Sequence, residues 1–406
     1  MEFFNVISLG EAKEKVISRL GYIGSTGMVA AEKSLGRVTA DDLLSPESLP
    51  AYHKSTVDGY ALRAQDTYAA TDSVPAVLKL VGKVEMGRAP QLVLAEGEAA
   101  YVPTGGLLPD GADSVAAIED TQNYGGEIAV FKRLRLRENA LYTGEDIQKN
   151  AVIAPKGSVI TPMTLGLASG AGVGEIAVFK ETSFFIISTG DELSGLGEPV
   201  EKGKIRDINT YVLSALAVCS GHKVAGMVRV KDDLNELMAA MAEGARRADI
   251  VLVSGGSSIG ERDYTCAAIK ALGGEVFVKG IAMKPGKPTV CGTVLNKVVF
   301  GLPGHPMAAA IVYKMLVSAS IKSIRGQTDK PLCFAEAECN FPSSPGRLTC
   351  QAVKCTAADG KITARPLFGK SGTLSPLAEA DGFIIIPENA EGVYQGNTAA
   401  VFGFTD

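Results

Sequence analysis

The 406-residue chain is poor in the residues that build metal clusters and disulfide frameworks. It has three histidines, and its seven cysteines include no CxxC pair. The closest two cysteines, Cys350 and Cys355, lack a second pair or a nearby histidine that would complete a zinc site. We therefore interpret the cysteines as reduced residues of a cytoplasmic protein, most of them packed in its interior.

An excess of positive charge and a long apolar run are also missing. The formal net charge is −5, whereas general binding to nucleic acid needs a basic surface that displaces counterions. The N-terminal segment has early acidic residues and no long apolar stretch, which argues against a secretory signal. No apolar run approaches the roughly 18 residues of a membrane helix. The sequence thus predicts a protein that binds neither nucleic acid nor membrane.

What the chain does contain is typical of a globular protein of several domains. Hydrophobic residues make up 46% and charged residues 21%, so the chain is far from the disordered class. A length of 406 residues exceeds one hydrophobic core and predicts about two to four domains.

The two ends of the chain and its second quarter have distinct local patterns. Ser8 and Glu11 fit a capping box at the start of a helix, and a second short helix is predicted over Met28–Leu35. Residues 46–144 alternate short β-branched runs with Gly, Pro and Asp turns, which predicts a β-rich domain. After a linker at 325–331, the pattern of residues 331–406 is again that of strands, with a hairpin turn at Ala358–Gly360.

Residues 175–326 alternate strands and helices. Nearly continuous apolar strands separated by helices predict a parallel sheet covered on both faces, with the ligand beyond the carboxyl ends of its strands. The predicted strands are 183–189, 224–230, 249–255 and 298–304. The predicted helices are 209–220, 233–248, 264–272 and 307–324.

The turn after the third of these strands has the composition of an anion-binding site. Ser254–Ser258 contain two glycines, and Asp263 follows just before a helix. Exposed N–H groups and hydroxyls bind phosphate, and the carboxylate makes a Mg²⁺–phosphate site the sensible combination. Neither a Walker A nor a GxGxxG pattern is satisfied. The alternative interpretation is a tight turn in which Asp263 caps the helix.

Other strand ends contain further candidates. Asp191 and Glu192 can ligate a metal or transfer protons, or can belong to a solvated loop. Lys284 and Lys287 lie on a proline-stiffened turn suited to a modest oxyanion, or to a surface turn. His305 can act as a base or can simply form a hydrogen bond. In the β-rich region, Asp58, Thr104 and Asp146 each lie beside glycines, which alone is a weak signal.

Seven motifs together resemble the molybdopterin molybdenumtransferase family, which includes MoeA and the E domain of gephyrin. They occur in order along the whole chain: STVDGYA, PTGGLLPDGADSV, GEDI, STGDEL, SGGSSIGERDY, MKPGKP and GLPGHP. Small proteins that adenylylate molybdopterin resemble only the 175–326 region, so the additional β-rich regions argue against that alternative.

The resemblance implies an α/β plus β fold. The expected chain is elongated, with a molybdopterin-binding parallel-sheet α/β domain, a β-rich domain and a C-terminal β-barrel. The expected assembly is a homodimer whose active site lies between the α/β domain of one subunit and the β-rich domain of the other. The implied domains are an N-terminal helix (1–25) packed on the α/β domain, a connecting domain (26–45 and 145–174), the β-rich domain (46–144), the α/β domain (175–326) and the barrel (331–406).

The resemblance also implies a reaction and its residues. Molybdenum from molybdate enters the dithiolene of adenylyl-molybdopterin, the adenylate is hydrolysed, and molybdenum cofactor and AMP are released. A transient contact with the molybdopterin adenylyltransferase is implied. The implied catalytic residues are Asp58, Asp146, Glu192 and Asp263. The implied substrate-binding residues are Thr104, Asp191, Ser254, Gly255, Gly256, Ser257, Ser258, Pro303, Gly304 and Pro306. Lys284, Lys287, Arg347 and Ser371 are implied for molybdate, and Asp232 with Asp263 for Mg²⁺ or a similar cation.

Three positions depart from the family pattern, and two alternatives stay open. His305 replaces an asparagine, Ala308 replaces a serine, and Ile208 stands where a serine is common, so individual polar contacts are in doubt there. A paralogue that inserts tungsten, and a scaffold protein that retains the fold, are the alternative functions.

Overall fold

The computed structural model describes residues 6–255, 264–343, 345–368 and 374–405. The α-helices in these ranges are α1 (Leu9–Arg19), α2 (Pro162–Gly170), α3 (Asn209–Cys219), α4 (Leu234–Arg247), α5 (Tyr264–Ala271), α6 (Pro306–Val312), α7 (Ala319–Ile324) and α8 (Ser375–Glu379). A π-helical segment, Tyr313–Ser318, joins α6 to α7.

The strands fall into three groups along the chain. The first group is β1 (Thr26–Ala30), β2 (Leu43–Leu44), β3 (Lys54–Ser55), β4 (Gly59–Leu62), β5 (Ala76–Lys83), β6 (Glu98–Val102), β7 (Ser114–Ala117), β8 (Thr121–Asn123), β9 (Glu127–Val130), β10 (Ala140–Leu141), β11 (Val152–Ala154) and β12 (Glu175–Phe179). The second is β13 (Ser183–Thr189), β14 (Leu193–Ser194), β15 (Ile205–Arg206), β16 (Lys223–Val230), β17 (Ile250–Ser254), β18 (Val276–Lys279), β19 (Met283–Lys284), β20 (Val290–Val294) and β21 (Lys297–Leu302). The third is β22 (Cys333–Ala337), β23 (Phe341–Pro342), β24 (Leu348–Ala358), β25 (Lys361–Pro366), β26 (Gly382–Ile386), β27 (Gly392–Val393) and β28 (Thr398–Phe402).

The central α/β sheet has the strand order β16-β13-β17-β21-β20-β18. The first four strands are parallel, as predicted, and β20 and β18 add an antiparallel edge. Alternate residues of the apolar strands face opposite sides: Phe184 and Ile186 pack with α1, α3 and α6, whereas Phe185 and Ile187 pack with α4 and α5. Helices therefore cover both faces, which leaves the carboxyl ends of the strands as the open edge.

Two larger β units lie outside this sheet, and the short antiparallel pairs β1–β12 and β2–β11 belong to neither of them. The first is a mixed sheet with the order β7-β4-β6-β5-β9-β8. The second is a barrel in which β24-β25-β22-β28-β26 closes by pairing of β26 with β24. Its β24–β25 turn at Asp359 and Gly360, both with positive φ, confirms the predicted hairpin. The fold is thus α/β plus β with a closed five-stranded barrel, and the domain limits given above stay predictions.

The predicted second helix at Met28–Leu35 is wrong. Met28 lies in β1 and pairs with Ala177 of β12, and only a 3₁₀ turn at Ala31–Lys33 follows. Pairing with a strand almost 150 residues away overrides the local helical pattern. The predicted cap of α1 forms in part, because Ser8 Oγ accepts a hydrogen bond from the Glu11 N–H at 3.1 Å.

One helical stretch, Pro306–Ile324, is long and apolar enough by length and composition to cross a membrane. Its most apolar window is 72% buried inside the protein. Lys314 and Lys322 interrupt it, so the sequence shows no unbroken apolar run of that length. We therefore interpret this stretch as a core helix of the α/β unit.

Tyr22 joins the N-terminal segment to the amino ends of the central strands. Its hydroxyl donates to the Asp249 carbonyl at 2.7 Å and accepts from the Val298 N–H at 3.0 Å. Burial raises the pKa of Tyr22 from 10.0 to about 12. Since the folded state holds this proton more tightly, the stabilisation is present below pH 10 and is lost as the pH rises toward 12.

We expect the hydroxyl of Tyr22 to contribute a pH-dependent stability of about 2 kcal/mol. The measurement is the free energy of unfolding of the wild type and of Tyr22→Phe, at pH 8 and near pH 11. The difference between the two proteins should shrink by more than about 1 kcal/mol at the higher pH. A difference that stays constant with pH would contradict the assignment.

Candidate functional site

The end of β17 approaches the end of β13 so closely that only glycine fits between them. Ser254 is 2% exposed and ends β17 beside Ser188 of β13. Gly255 follows with a φ of +99°, and a Cβ there would lie 2.2 Å from the Thr189 carbonyl oxygen. Gly255 therefore holds the two strand ends, and the loops that leave them, at a fixed short separation.

Acidic side chains gather where β13 and β16 end. Asp191 and Glu192 follow β13, and both are exposed. Asp232 follows β16, and its Oδ1 accepts a hydrogen bond from Thr189 Oγ1 at 2.9 Å. The Asp232 N–H donates to Asp191 Oδ1 at 3.3 Å, which joins the two loops.

The turn after β21 lies against the turn after β17. A Cβ on Gly304 would lie 3.9 Å from the Gly255 Cα. Pro303 is buried, and Pro306 is the first residue of α6, where a missing N–H costs no hydrogen bond. His305 is the N-cap residue of α6, and its side chain makes no capping hydrogen bond. Ala308 is buried in the first part of this helix.

Sequence reasoning missed two polar residues that join these turns. Asn209 Nδ2 donates to Ser254 Oγ at 2.6 Å and to the Gly304 carbonyl at 2.7 Å. Asp207 is buried, and it accepts hydrogen bonds from Ser188 Oγ and from both Oγ1 and N–H of Thr210. The available signal was the polar run RDINT directly before an apolar helix, a pattern typical of a helix start.

The predicted molybdate lysines lie at the same edge of the sheet. Because β20 is antiparallel, its first residue, Val290, pairs with Gly301 near the carboxyl end of β21. The segment that contains Lys284 and Lys287 immediately precedes β20. Lys284 pairs with Thr349 of β24, which brings Arg347 next to β19.

These three basic side chains make no hydrogen bond or ion pair with the residues that the structure describes. Lys284 and Arg347 are exposed, and Lys287 is half-buried. Unpaired cations on a turn and a strand start are suited to an exchangeable anion.

Hydrogen bonds join the three candidates of the β-rich region to one another or to the backbone segment 49–55. Asp58 Oδ1 accepts a hydrogen bond from the Thr104 N–H at 2.9 Å, so these two residues are adjacent. The Gly105 N–H donates to the Ser55 carbonyl, and the Asp146 N–H donates to the Leu49 carbonyl. We call Asp58, Thr104 and Asp146 the β-rich cluster.

Within one chain, no hydrogen bond or ion pair between described residues joins the β-rich cluster to the strand ends of the α/β sheet. Five predicted site residues lie outside the described residues: Gly256, Ser257, Ser258, Asp263 and Ser371. The strand-end site is therefore defined here by Asp191, Glu192, Asn209, Asp232, Ser254, Gly255, Pro303, Gly304 and Pro306.

Comparisons with known proteins cover nearly the whole chain. Family sequence models match in order: the MoeA N-terminal region (domain I and II) at 7–172, a probable molybdopterin binding domain at 185–323 and the MoeA C-terminal region (domain IV) at 335–404. The molybdopterin molybdenumtransferase of Bacillus subtilis is 32% identical over 388 residues, 93% of this chain and 90% of that protein. This chain belongs to the MoeA family.

Further relatives agree with the MoeA assignment. The molybdopterin molybdenumtransferase of Haemophilus influenzae is 30% identical over 405 residues, 98% of this chain and 99% of that protein. The crystal structure of a molybdopterin biosynthesis MoeA protein from Pyrococcus horikoshii superposes with a TM-score of 0.84 at 34% identity, covering 99% and 100% of the two chains. The family resemblance in the motifs is confirmed, and this chain is a MoeA-type transferase of molybdenum cofactor biosynthesis.

The metal site expected of this MoeA chain is only partly within the described residues. Among those residues, no three His, Cys, Asp or Glu side chains are grouped closely enough to hold a metal ion. The Oδ2 of Asp232 has no hydrogen-bond partner among the described residues. Since Mg²⁺ uses one or two carboxylates together with phosphates and waters, this oxygen would suit a Mg²⁺ that arrives with a phosphate.

Proposed function

We propose that this MoeA chain transfers molybdenum from molybdate to the dithiolene of adenylyl-molybdopterin, hydrolyses the adenylate, and releases molybdenum cofactor and AMP. One observation carries the proposal. A turn that begins with Gly255 directly after Ser254, acidic side chains after two adjacent strands, and unpaired lysines all lie at the carboxyl edge of one sheet. That edge is where open α/β sheets bind their ligands.

The phosphoanhydride of the substrate would bind at the turns after β17 and β21. Ser254 donates its hydroxyl proton to a phosphate oxygen, and Gly255 with Gly256, Ser257 and Ser258 offers N–H groups and hydroxyls. Pro303, Gly304 and Pro306 form the opposite wall. Asp232 and Asp263 would hold Mg²⁺, which would neutralise charge on the phosphates.

The remaining carboxylates would orient the attacking water and accept its proton. Glu192 and Asp191 are the strand-end candidates, because both are exposed beside Asp232. Asp58 and Asp146 of the β-rich cluster would act on the same substrate from the other side, with Thr104 positioned through its N–H bond to Asp58.

Molybdate would bind beside this site. It is a tetrahedral dianion, so it needs fixed cations that do not trap it. Lys284, Lys287 and Arg347 supply cations on a proline-stiffened turn and a strand start, and Ser371 would add a hydroxyl.

The active site would be complete only in a homodimer. The β-rich cluster has no polar contact with the strand-end site of its own chain among the described residues, so a second subunit would bring the two together. We further propose that the enzyme works in the cytoplasm and receives its substrate from the molybdopterin adenylyltransferase through a transient contact.

Removal of the Lys284 ammonium group tests the proposal. Purified protein is incubated with adenylyl-molybdopterin, Mg²⁺ and molybdate, and AMP is measured against molybdate concentration. We expect Lys284→Ala to raise the KM for molybdate by about tenfold or more, because one charge-assisted contact is lost. The KM for adenylyl-molybdopterin should change by less than about threefold.

The matched control is Lys270→Ala, which removes an exposed lysine from α5 of the same α/β unit. The control should leave both KM values unchanged. If the wild type releases no AMP, the proposed reaction is wrong; if Lys284→Ala leaves the molybdate KM unchanged, the molybdate site is wrong. Tungstate in place of molybdate tests the tungsten alternative.

A further inference from the structure

Asn209 contains a buried oxygen atom that no described residue contacts by a hydrogen bond. The residue is 8% exposed, and it is the first residue of α3. Its Nδ2 donates to Ser254 Oγ at 2.6 Å and to the Gly304 carbonyl at 2.7 Å. Its Oδ1 has no hydrogen-bond partner among the residues that the structure describes. Leaving a buried carbonyl oxygen unpaired lowers the stability of the folded state, so such an atom calls for an explanation.

The orientation of this amide is fixed by chemistry. The Gly304 carbonyl oxygen can only accept a hydrogen bond, so it must face the NH₂ group of Asn209. Rotating the amide by half a turn would place two acceptors against each other. The unpaired atom is therefore the oxygen, and it is bonded to the same carbon as the nitrogen that bridges the two turns.

Asn209 and Ser254 together offer complementary hydrogen-bonding groups. Ser254 Oγ accepts from Asn209, so the hydroxyl proton of Ser254 is left to donate, and no described residue accepts it. The pair thus presents one donor, Ser254 O–H, and one acceptor, Asn209 Oδ1. The oxygens of a fully ionised phosphate can accept a hydrogen bond from Ser254 O–H. Because they carry no proton, they cannot donate one to Asn209 Oδ1.

We propose that Asn209 binds the organic part of the substrate: its Oδ1 accepts a hydrogen bond from an N–H or O–H group of adenylyl-molybdopterin, while its amide group holds Ser254 and Gly304 at a fixed spacing. This inference rests on the proposed function. Asn209 would select a ligand that combines an oxyanion with a neighbouring donor, over one that offers oxyanions alone.

The test compares two ligands that differ in donor groups. Adenylyl-molybdopterin carries N–H and O–H donors, whereas Mg²⁺–pyrophosphate offers acceptor oxygens. Dissociation constants of both are measured by calorimetry without turnover. We expect Asn209→Ala to weaken the binding of adenylyl-molybdopterin by about tenfold more than the binding of pyrophosphate, because only adenylyl-molybdopterin loses a hydrogen bond to Oδ1.

Asn209→Asp is expected to affect the two ligands in the opposite order. It also tests the proposal if the alanine variant does not fold. It keeps an acceptor oxygen but loses the two donated hydrogen bonds and adds a negative charge. The binding of pyrophosphate should therefore weaken by about tenfold more than the binding of adenylyl-molybdopterin. Asn150→Asp makes the same amide-to-carboxylate change at an exposed position with positive φ, and it should alter neither constant.

Equal weakening of both ligands in both Asn209 variants would overturn the proposal, since a residue that only braces the two turns would affect them alike. Failure of the proposed function is distinguishable. A wild type that binds adenylyl-molybdopterin but releases no AMP refutes the reaction and leaves the Asn209 comparison valid. A wild type that does not bind adenylyl-molybdopterin refutes both.

Discussion

An equimolar mixture of the Asp58→Ala and Asp232→Ala chains is expected to recover about one quarter of wild-type AMP release, although each variant alone is inactive. The two residues lie in different units, the β-rich sheet and the end of β16. If the active site joins the β-rich unit of one subunit to the α/β unit of the other, a mixed dimer contains one site with neither substitution. Half of the randomly mixed dimers are of this kind, and each has one intact site of two.

The subunits are mixed by co-expression with two different tags, and AMP release is measured per total protein. A doubly substituted chain, Asp58→Ala with Asp232→Ala, is the control when mixed with wild type. In an intersubunit arrangement its mixed dimers are inactive, so activity falls to about one quarter. If each active site instead lies within one chain, the activity of this mixture falls only to about one half. The two single variants then never complement each other.

The α/β unit could be predicted closely from the sequence because its strands are continuous apolar runs. Ile250–Ser254 lies within its predicted range, Lys297–Leu302 begins one residue before its predicted start, and α4 begins one residue after its predicted start. Such runs leave little ambiguity between strand and loop. The antiparallel edge formed by β20 and β18 was not predicted, because the sequence does not state strand order. The prediction of a helix at Met28–Leu35 failed for a related reason, since the strand that pairs with this segment lies far away in the chain.

The site was predictable as motifs, but its connections were not. The proximity of Asp58 and Thr104 depends on one backbone N–H, and the proximity of Lys284 and Arg347 depends on the register of β19 against β24. Neither is encoded by spacing along the chain. Asn209 was missed because its role comes from two hydrogen bonds to turns about 45 and 95 residues away.

Gly255→Ala is expected to abolish activity and to destabilise the α/β unit strongly. The substituted Cβ would lie 2.2 Å from the Thr189 carbonyl oxygen, a backbone atom that cannot rotate away. The residue also has a φ of +99°, which L-residues adopt only with strain. Relief requires the ends of β13 and β17 to separate, which moves Ser254 away from Asp191 and Asp232. We expect a loss of about 2–4 kcal/mol in the free energy of unfolding and a loss of AMP release exceeding about 100-fold.

Gly203→Ala separates the cost of positive φ from the cost of the contact. Gly203 has a φ of +92°, but nothing lies within 4 Å of the position that its Cβ would take. The control should therefore lose only about 1 kcal/mol, the cost of the backbone conformation alone. Denaturant unfolding and AMP release are measured for both variants under the same conditions. Equal losses in the two variants would show that conformational strain accounts for the whole effect, and that the close approach of β13 and β17 does not position the strand-end site.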